Sequence, residues 1–376
     1  MYICDSSELL AYCKKAAQAK VVAVDTEFIR EKTYFPKLCL IQVNAGGNIA
    51  AIDPLAIDDL SPLAAIFTNP EVTKVFHACG QDLEVIYDHM GIDCAPVFDT
   101  QVAAAFLGMR QQLSYGNLVE TYCDVHLPKA ESLTDWSRRP LDQDQLKYAE
   151  DDVRYLPGIY EKMMEELTRA DRLAWVLPEM DEVADPAHFH RDSREAYLRL
   201  KKSGSLTRKQ LAVAREVCAW REDLAASRDI PRKWLCSDEV VVEICKRAPA
   251  TIDRLRRIRG TEGFNDADAR GVVAAVRAGL GCNPADYPRA QKHTRTSAEA
   301  DGVCDLMYAM LRVISEKSGV APQLIATKDD LLDFISNREK SRLSRGWRWE
   351  LAGKSLSALL SGEVGLTVVN GHIELL

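Results

Sequence analysis

The sequence has no long apolar run, and this absence excludes a membrane-spanning helix. None of its hydrophobic stretches approaches the roughly 18 residues that such a helix needs. The first twenty residues are polar and acidic where a secretory signal requires an apolar core. We therefore expect no signal peptide, no membrane partner and a cytoplasmic location.

Paired metal-binding cysteines and a phosphate loop are also missing. Eleven cysteines are spread along the 376 residues, but none forms a C-x-x-C pair and none has a zinc-ligand spacing with histidine. We therefore expect no structural zinc site, and unpaired thiols in a reducing compartment. Gly353-Lys354-Ser355 resembles the end of a phosphate loop, but Arg348 stands where the motif requires glycine. This excludes a helicase.

Charges of the two signs are distributed unevenly along the chain. The net charge is −8, yet residues 1–180 hold 16 lysines and arginines against 28 aspartates and glutamates, whereas residues 205–260 hold 13 against 8. An acidic front part suits metal binding, and a basic back part suits a polyanion such as nucleic acid. Two solvated surfaces of opposite sign would give the same pattern, so charge alone leaves both interpretations open.

The clearest candidate site is the stretch VVAVDTEF at 21–28. Its four apolar residues predict a buried strand that ends in two carboxylates, Asp25 and Glu27. Side chains two apart on a strand point to the same face, so these like charges need a positive partner if they are buried. A divalent metal ion is the usual partner, although a solvated strand end would give the same short pattern.

Two acidic side chains near predicted strand ends could lie close to this pair. Asp82 falls in the first turn of a helix predicted over 81–90, where an acid also stabilises the helix start. Asp99 ends a strand at 97–100 and precedes an Ala-rich helix predicted to reach Met109. Asp99 could support the site from behind or cap that helix, and we favour the cap. Taken alone, Asp82 is better explained by stabilisation of the helix start than by chemistry.

A third stretch adds a phenol and another carboxylate. Tyr148 and Asp152 lie four residues apart in a helix predicted from about Gln143 to Tyr155, so they share one helix face. Asp151 lies about 100° further round the helix and is not expected at the same place. A half-buried aromatic anchor is the commoner role of a tyrosine such as Tyr148.

The sheet is predicted to begin with antiparallel strands. The apolar run at 38–43 is followed by the turn Gly46-Gly47-Asn48 and a returning strand at 49–52. Helices are predicted at 61–67 and 113–123, with a short strand at 74–77. This mixture of strands and helices predicts an α/β fold for the front half.

Together these motifs resemble one family of nucleases. Five stretches resemble the signature of the DEDD 3′→5′ exonuclease superfamily. They are D-T-E-F (25–28), H-A-C-G-Q-D-L (77–83), F-D-T-Q (98–101), D-W-S-R-R-P-L (135–141) and Y-A-E-D-D-V-R-Y-L (148–156). A tyrosine four residues before the last aspartate is typical of its DEDDy branch. The segments at 30–43 and 52–55 resemble bacterial ribonuclease D, and the likeness covers about residues 1–175 and continues more weakly beyond.

The resemblance implies a role for each matching residue. Asp25, Glu27, Asp82 and Asp152 would hold two divalent metal ions, Mg²⁺ or Mn²⁺, with Asp25 bridging both, and Tyr148 would hold the attacking water. These five residues would be the catalytic set.

Two further residues could contact the substrate. Phe28 would stack against the terminal base, and His77 would contact the terminal nucleotide. Both could equally be core residues.

The resemblance also implies a domain order. We expect an α/β nuclease domain of the ribonuclease H-like type, with a mixed sheet flanked by helices, followed by two small all-α domains similar to HRDC domains. The predicted bounds are the nuclease domain at 1–178, a linker at 179–204, an HRDC domain at 205–283, a linker at 284–298 and a divergent HRDC-like domain at 299–376.

Basic and aromatic residues cluster in the last of these parts. They could meet a phosphate backbone, or they could be a solvated helix with two packed tryptophans. The cluster comprises Arg338, Lys340, Arg342, Arg345 and Arg348 with Trp347 and Trp349.

The implied activity is that of a two-metal-ion 3′→5′ exoribonuclease. It would release 5′-mononucleotides from RNA with a single-stranded 3′ end, with tRNA precursors as the expected substrate. A monomer is favoured, but the sequence leaves the oligomeric state open. A DNA 3′→5′ exonuclease and an adaptor with a dead nuclease fold remain alternatives; the presence of all four acidic residues argues against the adaptor.

Overall fold

The computed structural model describes residues 1–128, 134–289 and 298–376, and the chain divides into two compact units. Unit 1 consists of Met1–Glu27, Leu38–Asp185 and Thr296–Leu376, and unit 2 consists of Phe28–Lys37 and Pro186–Arg295. The predicted linker at 284–298 lies partly outside the described residues. Each unit is therefore built from segments that are distant in sequence.

The first 100 residues form a six-stranded sheet. Its strands are β1 (Tyr2–Ile3), β2 (Val21–Ile29), β3 (Lys37–Ala45), β4 (Asn48–Ile52), β5 (Thr73–Phe76) and β6 (Val97–Asp99), in the order β1-β4-β3-β2-β5-β6. β3 and β4 form the predicted antiparallel hairpin, whereas β1 pairs with β4, β2 with β5 and β5 with β6 in parallel. The sheet is mixed, as predicted.

The register of the sheet exposes the end of β2. Ala23 lies opposite Val75, so Phe76, the last residue of β5, lies opposite Val24. Asp25 and Glu27 therefore extend beyond the end of the neighbouring strand. Because the carboxyl ends of parallel strands form the usual ligand-binding edge of such a sheet, these two side chains lie where a site is expected.

Within the described part of unit 1, eight helices accompany the sheet before Asp185. They are α1 (Ser6–Ala16), α2 (Ser61–Phe67), α3 (Gly80–Met90), α4 (Thr100–Phe106), α5 (Tyr115–Cys123), α6 (Gln143–Arg154), α7 (Leu156–Arg169) and α8 (Leu173–Val183). Asp142 caps α6 in a reciprocal capping box with Gln145, which fixes where this helix begins. The predicted domain end at 178 falls inside α8.

Unit 2 is all-helical apart from the segment Phe28–Lys37. Its helices are α9 (Arg208–Ser227), α10 (Arg232–Leu235), α11 (Asp238–Arg247), α12 (Ile252–Leu255) and α13 (Asp266–Leu280). Thr207 caps α9 as predicted, in a capping box with Gln210. α9 packs against α13 so closely that a side chain at Gly279 would meet the backbone of Val213.

Tyr34 secures the segment Phe28–Lys37 within unit 2. Its hydroxyl donates a hydrogen bond to Glu222 at 2.7 Å, and the amides of Tyr34 and Phe35 donate to one oxygen of Asp229 at 3.0 and 3.1 Å. The guanidinium of Arg191 lies 5.5 Å from the centroid of each of the two rings. The chain thus passes from unit 1 into unit 2 directly after Glu27.

The C-terminal part of the chain completes unit 1. It contains α14 (Ala298–Ser318), α15 (Pro322–Ile325), α16 (Lys328–Ser336), α17 (Gly346–Arg348), α18 (Lys354–Ser361) and the antiparallel hairpin of β7 (Leu366–Val369) and β8 (His372–Leu375). Trp347, Phe334 and Leu356 are buried in the same hydrophobic core as Phe98 and Leu118. No helix among the described residues is long and apolar enough to cross a membrane.

Two members of the C-terminal basic and aromatic cluster are packed inside unit 1. Arg348 donates to both oxygens of Glu179, at 2.5 and 2.8 Å, and the Trp347 indole donates to the same carboxylate at 3.1 Å. The Trp347 ring also stacks on Trp175, with centroids 5.8 Å apart. Trp347 is therefore packed, as the second alternative expected for the tryptophans, whereas the burial of Arg348 in an ion pair was expected by neither alternative.

Candidate active site

Three carboxylates from two elements converge at the end of β2. Asp25 and Glu27 lie on the strand, Asp152 lies on α6, and each offers an oxygen within 4.8 Å of the other two. All three are partly buried. Carboxylate oxygens are the hard donors that Mg²⁺ and Mn²⁺ prefer, so this set fits a divalent cation.

Asp82 is close to this group but is held separately. It is only 7 % exposed, in the first turn of α3, and its Oδ1 accepts a hydrogen bond from the hydroxyl of Thr26 at 2.5 Å. Thr26 is 6 % exposed and lies between Asp25 and Glu27 on β2. The structure therefore brings Asp25, Glu27 and Asp152 together as a trio, with Asp82 bound to the same strand beside them.

Burial raises the pKa of every predicted acidic residue, and neighbouring carboxylates add to each shift. Burial, reinforced by the other three carboxylates, raises the pKa of Asp25 well above its usual range. Burial and the charges of Asp152 and Asp82 raise the pKa of Glu27 to about 9. Burial raises the pKa of Asp82 to about 7, although the hydrogen bond from Thr26 opposes it, and burial with neighbouring Asp151 raises the pKa of Asp152 to about 7. Such mutual repulsion is relieved by a bound cation.

Tyr148 lies against the carboxylate predicted to be its partner. Its side chain and that of Asp152, one helical turn further along α6, line the same cleft, and its ring centroid lies 6.1 Å from that of Trp136. Burial, followed by the charge of Asp152, raises the pKa of the Tyr148 phenol further above its usual value. The phenol is therefore protonated at neutral pH and acts as a hydrogen-bond donor.

A cleft of about 220 Å³ opens beside Tyr148 and Asp152. Its other walls come from α5 and the residues that follow it, including Tyr115, Asn117, Glu120 and His126. The Tyr115 hydroxyl donates to the backbone carbonyl of Asp151, which ties α5 to α6 at the level of the site. Neither Tyr115 nor Thr26 is singled out by the sequence patterns, although Thr26 lies within the D-T-E motif.

The two predicted substrate contacts have different surroundings. Both ring nitrogens of His77 are engaged within unit 1, Nδ1 with the Thr100 hydroxyl and Nε2 with the Leu113 carbonyl, each at 2.9 Å. Burial lowers the pKa of His77, which favours the neutral ring. Phe28 directly follows Glu27 on β2 and is partly buried, with the Arg30 guanidinium 5.9 Å from its ring centroid.

Two aspartates outside the site have structural partners. Asp151 forms an ion pair with Arg154 and, as expected, is not part of the carboxylate trio. Asp99 caps α4, as predicted, and also accepts hydrogen bonds from the amides of Ala78 and Cys79. Asp99 thereby fixes the turn that leads into α3 and its Asp82.

A buried ion pair joins two of the sequence motifs. Arg139 places two guanidinium nitrogens on the two oxygens of Asp53, each at 2.6 Å, and a third hydrogen bond joins it to the Trp136 carbonyl. Tyr2 donates to the same carboxylate. This network holds the segment before α6, and hence the start of the helix that carries Tyr148 and Asp152.

Comparison with known proteins assigns this architecture. Residues 1–168 match the model of a 3′–5′ exonuclease family, and residues 210–265 match that of the HRDC domain. The curated ribonuclease D of Zymomonas mobilis is 38 % identical over 99 % of this chain and 96 % of its own length. The chain belongs to the ribonuclease D family. As a member of this family it is a 3′→5′ exoribonuclease.

The ribonuclease D likeness extends to a solved structure over nearly the whole chain. The crystal structure of Escherichia coli RNase D, whose description calls it an exoribonuclease involved in structured RNA processing, has a TM-score of 0.83 and 29 % identity. The match covers 96 % of this chain and 98 % of that one. A protein from Bifidobacterium adolescentis shares the fold, with a TM-score of 0.70 at 22 % identity. The ribonuclease D family uses metal-dependent chemistry, which agrees with the acidic trio.

Proposed function

We propose that this chain is a two-metal-ion 3′→5′ exoribonuclease that releases 5′-mononucleotides. The observation that carries the proposal is the convergence of Asp25, Glu27 and Asp152 beside a protonated Tyr148. Asp25, Glu27, Asp82 and Asp152 would hold the two ions, Mg²⁺ or Mn²⁺, with Asp25 in contact with both. Such a pair of ions lowers the pKa of a bound water and stabilises the departing 3′ oxygen.

The protein's own groups orient this reaction. Tyr148 and Asp152 lie one turn apart on α6 and line the same cleft, so the phenol lies on the α6 side of the carboxylates. From there it can hold a water molecule in line with the scissile phosphorus, because a positioned donor or acceptor within about 3 Å is what in-line attack requires. Its raised pKa assigns Tyr148 to positioning water, since a neutral phenol is not a strong base.

The proposed substrate is RNA with a single-stranded 3′ end, above all tRNA precursors. The name of the family supports RNA, and the E. coli relative's description as an enzyme of structured RNA processing supports a folded RNA with a free end. Phe28 would stack on the terminal base and His77 would contact the terminal nucleotide through its ring, because both of its nitrogens are already bonded. All eleven cysteines are free thiols, which supports action in the reducing cytoplasm.

We also propose the predicted domain order, with the nuclease domain at 1–178, an HRDC domain at 205–283 and a second, divergent HRDC-like domain at 299–376. The family match at 210–265 supports the first helical domain. The helices of the C-terminal segment, α14–α18, are compatible with the second. These helical parts would guide the RNA strand, and the enzyme would act as a monomer.

The test is digestion of a 3′-extended, tRNA-like RNA labelled at its 5′ end, with Mg²⁺ or Mn²⁺. We expect stepwise shortening from the 3′ end, with 5′-mononucleotides as the product. Both Asp152→Ala and chelation of the metal should abolish the shortening. Asp151→Ala is the matched control, because its carboxylate is one residue away and pairs with Arg154 instead.

A DNA oligonucleotide of the same sequence decides between RNA and DNA as the substrate, since the 2′-hydroxyl is the relevant difference. Equal rates on the RNA and on the DNA oligonucleotide would support the DNA exonuclease alternative. Retained RNA binding without any shortening would support the adaptor alternative.

A further inference from the structure

The hydroxyl of Thr26 is the one polar side-chain group on β2 that lies between the two metal-binding acids. It donates its hydrogen bond to Oδ1 of Asp82, across from the strand to the first turn of α3. Both side chains are almost completely buried, with exposures of 6 % and 7 %.

We propose that Thr26 is a positioning residue for Asp82, and that its hydroxyl sets the affinity and geometry of the metal ion that Asp82 serves. This inference rests on the proposed two-metal function. A carboxylate offers about four acceptor positions, so the hydrogen bond to Thr26 leaves acceptor capacity on Asp82 for a metal ion or its water. Groups that hydrogen-bond a ligating carboxylate fix its rotation, and their loss typically weakens metal binding or activity by 10- to 100-fold.

Asp82 is held in a different way from the other three acids. Asp25, Glu27 and Asp152 have oxygens within 4.8 Å of one another, whereas Asp82 is not in that trio and is bound to Thr26. Asp82 stands in the first turn of α3, and the Thr26 hydroxyl joins its carboxylate to β2.

The side-chain types at position 26 give a clean test. Valine has the shape of threonine and lacks the hydroxyl, so Thr26→Val removes the hydrogen bond and keeps the packing. Serine keeps the hydroxyl and lacks the methyl group, so Thr26→Ser should restore what the hydroxyl does. If position 26 acted only through packing, Thr26→Val would stay close to wild type and Thr26→Ser would show the larger loss.

The experiment measures Mn²⁺ binding to the full-length protein by electron paramagnetic resonance and by calorimetry, without RNA. We expect two classes of Mn²⁺ site in the wild-type protein. In Thr26→Val one class should weaken by about 10- to 100-fold while the other changes little, and Thr26→Ser should lie close to wild type. In RNA digestion, the Mn²⁺ concentration that gives the half-maximal rate should be higher in Thr26→Val than in wild type. In Thr26→Ser it should be close to the wild-type value.

Thr261→Val is the matched control. Thr261 is a second buried threonine, 1 % exposed, whose hydroxyl bonds the carbonyls of Leu255 and Ile258 in unit 2. We expect it to cost stability but to leave both Mn²⁺ affinities unchanged.

The outcomes separate this inference from the proposed function. A wild-type protein that binds Mn²⁺ and shortens RNA, together with an unchanged Thr26→Val, would overturn the role of Thr26 and leave the function intact. Equal weakening in Thr26→Val and Thr26→Ser would also overturn it, since the hydroxyl would then not be the cause. A wild-type protein without Mn²⁺ binding would instead reject the two-metal function itself.

Discussion

At the scale of single residues, the protein keeps carboxylates in a place where they repel one another. Burial and mutual charge raise the pKa of Glu27 to about 9, and burial raises those of Asp82 and Asp152 to about 7. An unfolded chain has carboxyl pKa values near 4. At a pH between these two sets of values, the folded, metal-free protein therefore holds protons on these carboxyl groups that the unfolded chain has released.

The first prediction concerns the pH dependence of stability. A carboxyl group whose pKa is raised by folding stabilises the protein below about pH 4, and this contribution is lost as the pH rises through the folded value. We expect the free energy of unfolding of the metal-free protein to fall between about pH 4 and pH 9, as measured by urea denaturation with a chelator. Added Mn²⁺ should flatten the decline, and Glu27→Gln should make it smaller. A metal-free stability that is constant over this range would contradict the prediction.

The second prediction concerns the phenol beside Asp152. Tyr148→Phe removes the group that holds water and leaves the ring against Trp136, so we expect kcat to fall by about a hundredfold. Because burial raises the pKa of Tyr148, the wild-type rate should show no loss from phenol ionisation up to about pH 9.

The control for that substitution is Tyr122→Phe. The Tyr122 hydroxyl likewise donates to a carboxylate, Glu166, at 3.0 Å, but this pair is not part of the site. Comparable losses of kcat in the two variants would show that the effect is structural.

At the scale of elements, local patterns predicted most of the nuclease fold. The helix at Ser61–Phe67 and the start of α6 after Asp142 have the predicted bounds. Pro62 in the first turn of the former and the Asp142 cap of the latter are local signals of a helix start. The Ala-rich helix ends at Phe106 rather than Met109, since Gly108 has a positive φ.

The site was less completely predictable than the elements. Periodicity predicted that Asp25 and Glu27 share one strand face and that Tyr148 and Asp152 share one helix face. The structure places oxygens of Asp25, Glu27 and Asp152 within 4.8 Å of one another. The motifs gave no sign that Thr26 binds Asp82 or that Tyr115 bonds the Asp151 carbonyl. Those contacts join residues 36 or more positions apart, and no periodicity encodes them.

The third prediction concerns the ion pair that holds the segment before α6. Asp53→Ala leaves the guanidinium of Arg139 without its two main acceptors, so we expect a loss of about 3 kcal/mol in the free energy of unfolding. Chemical denaturation measures this loss. Arg247→Ala is the control: its partner Glu243 is an exposed neighbour one helical turn away, so the loss should be below about 0.5 kcal/mol. Equal losses would show that the Asp53 pair adds nothing beyond a surface pair.

At the scale of the whole molecule, the C-terminal segment belongs to the unit that holds the nuclease site. Glu179 on α8 accepts hydrogen bonds from both Arg348 and Trp347, and the surrounding core contains residues of both segments. The sequence suggested a phosphate-binding role for part of this basic cluster because exposure cannot be read from composition. Arg348 is buried, so it is not one of the exposed residues that a phosphate backbone could meet.

The fourth prediction follows from this contact. Glu179→Ala leaves the buried Arg348 guanidinium without its carboxylate, so we expect unit 1 to lose about 3 to 5 kcal/mol of stability. The unfolding transition of unit 1, followed by tryptophan fluorescence, should move to lower denaturant concentration. Glu165→Ala, at an exposed position on α7, is the control and should leave the transition in place. A shift of the same size in both variants would refute the role of the Glu179 pair.

The division of unit 1 into three chain segments has a consequence for how the enzyme is made. A ribosome releases β2 and α6 long before it releases Thr296–Leu376, yet Trp347 and Leu356 from that segment share a core with Phe98. The helices of unit 2 emerge in between, and they can fold while the nuclease core is still incomplete. The enzyme therefore gains its stable core late in its own translation, when most of its messenger RNA has already been read.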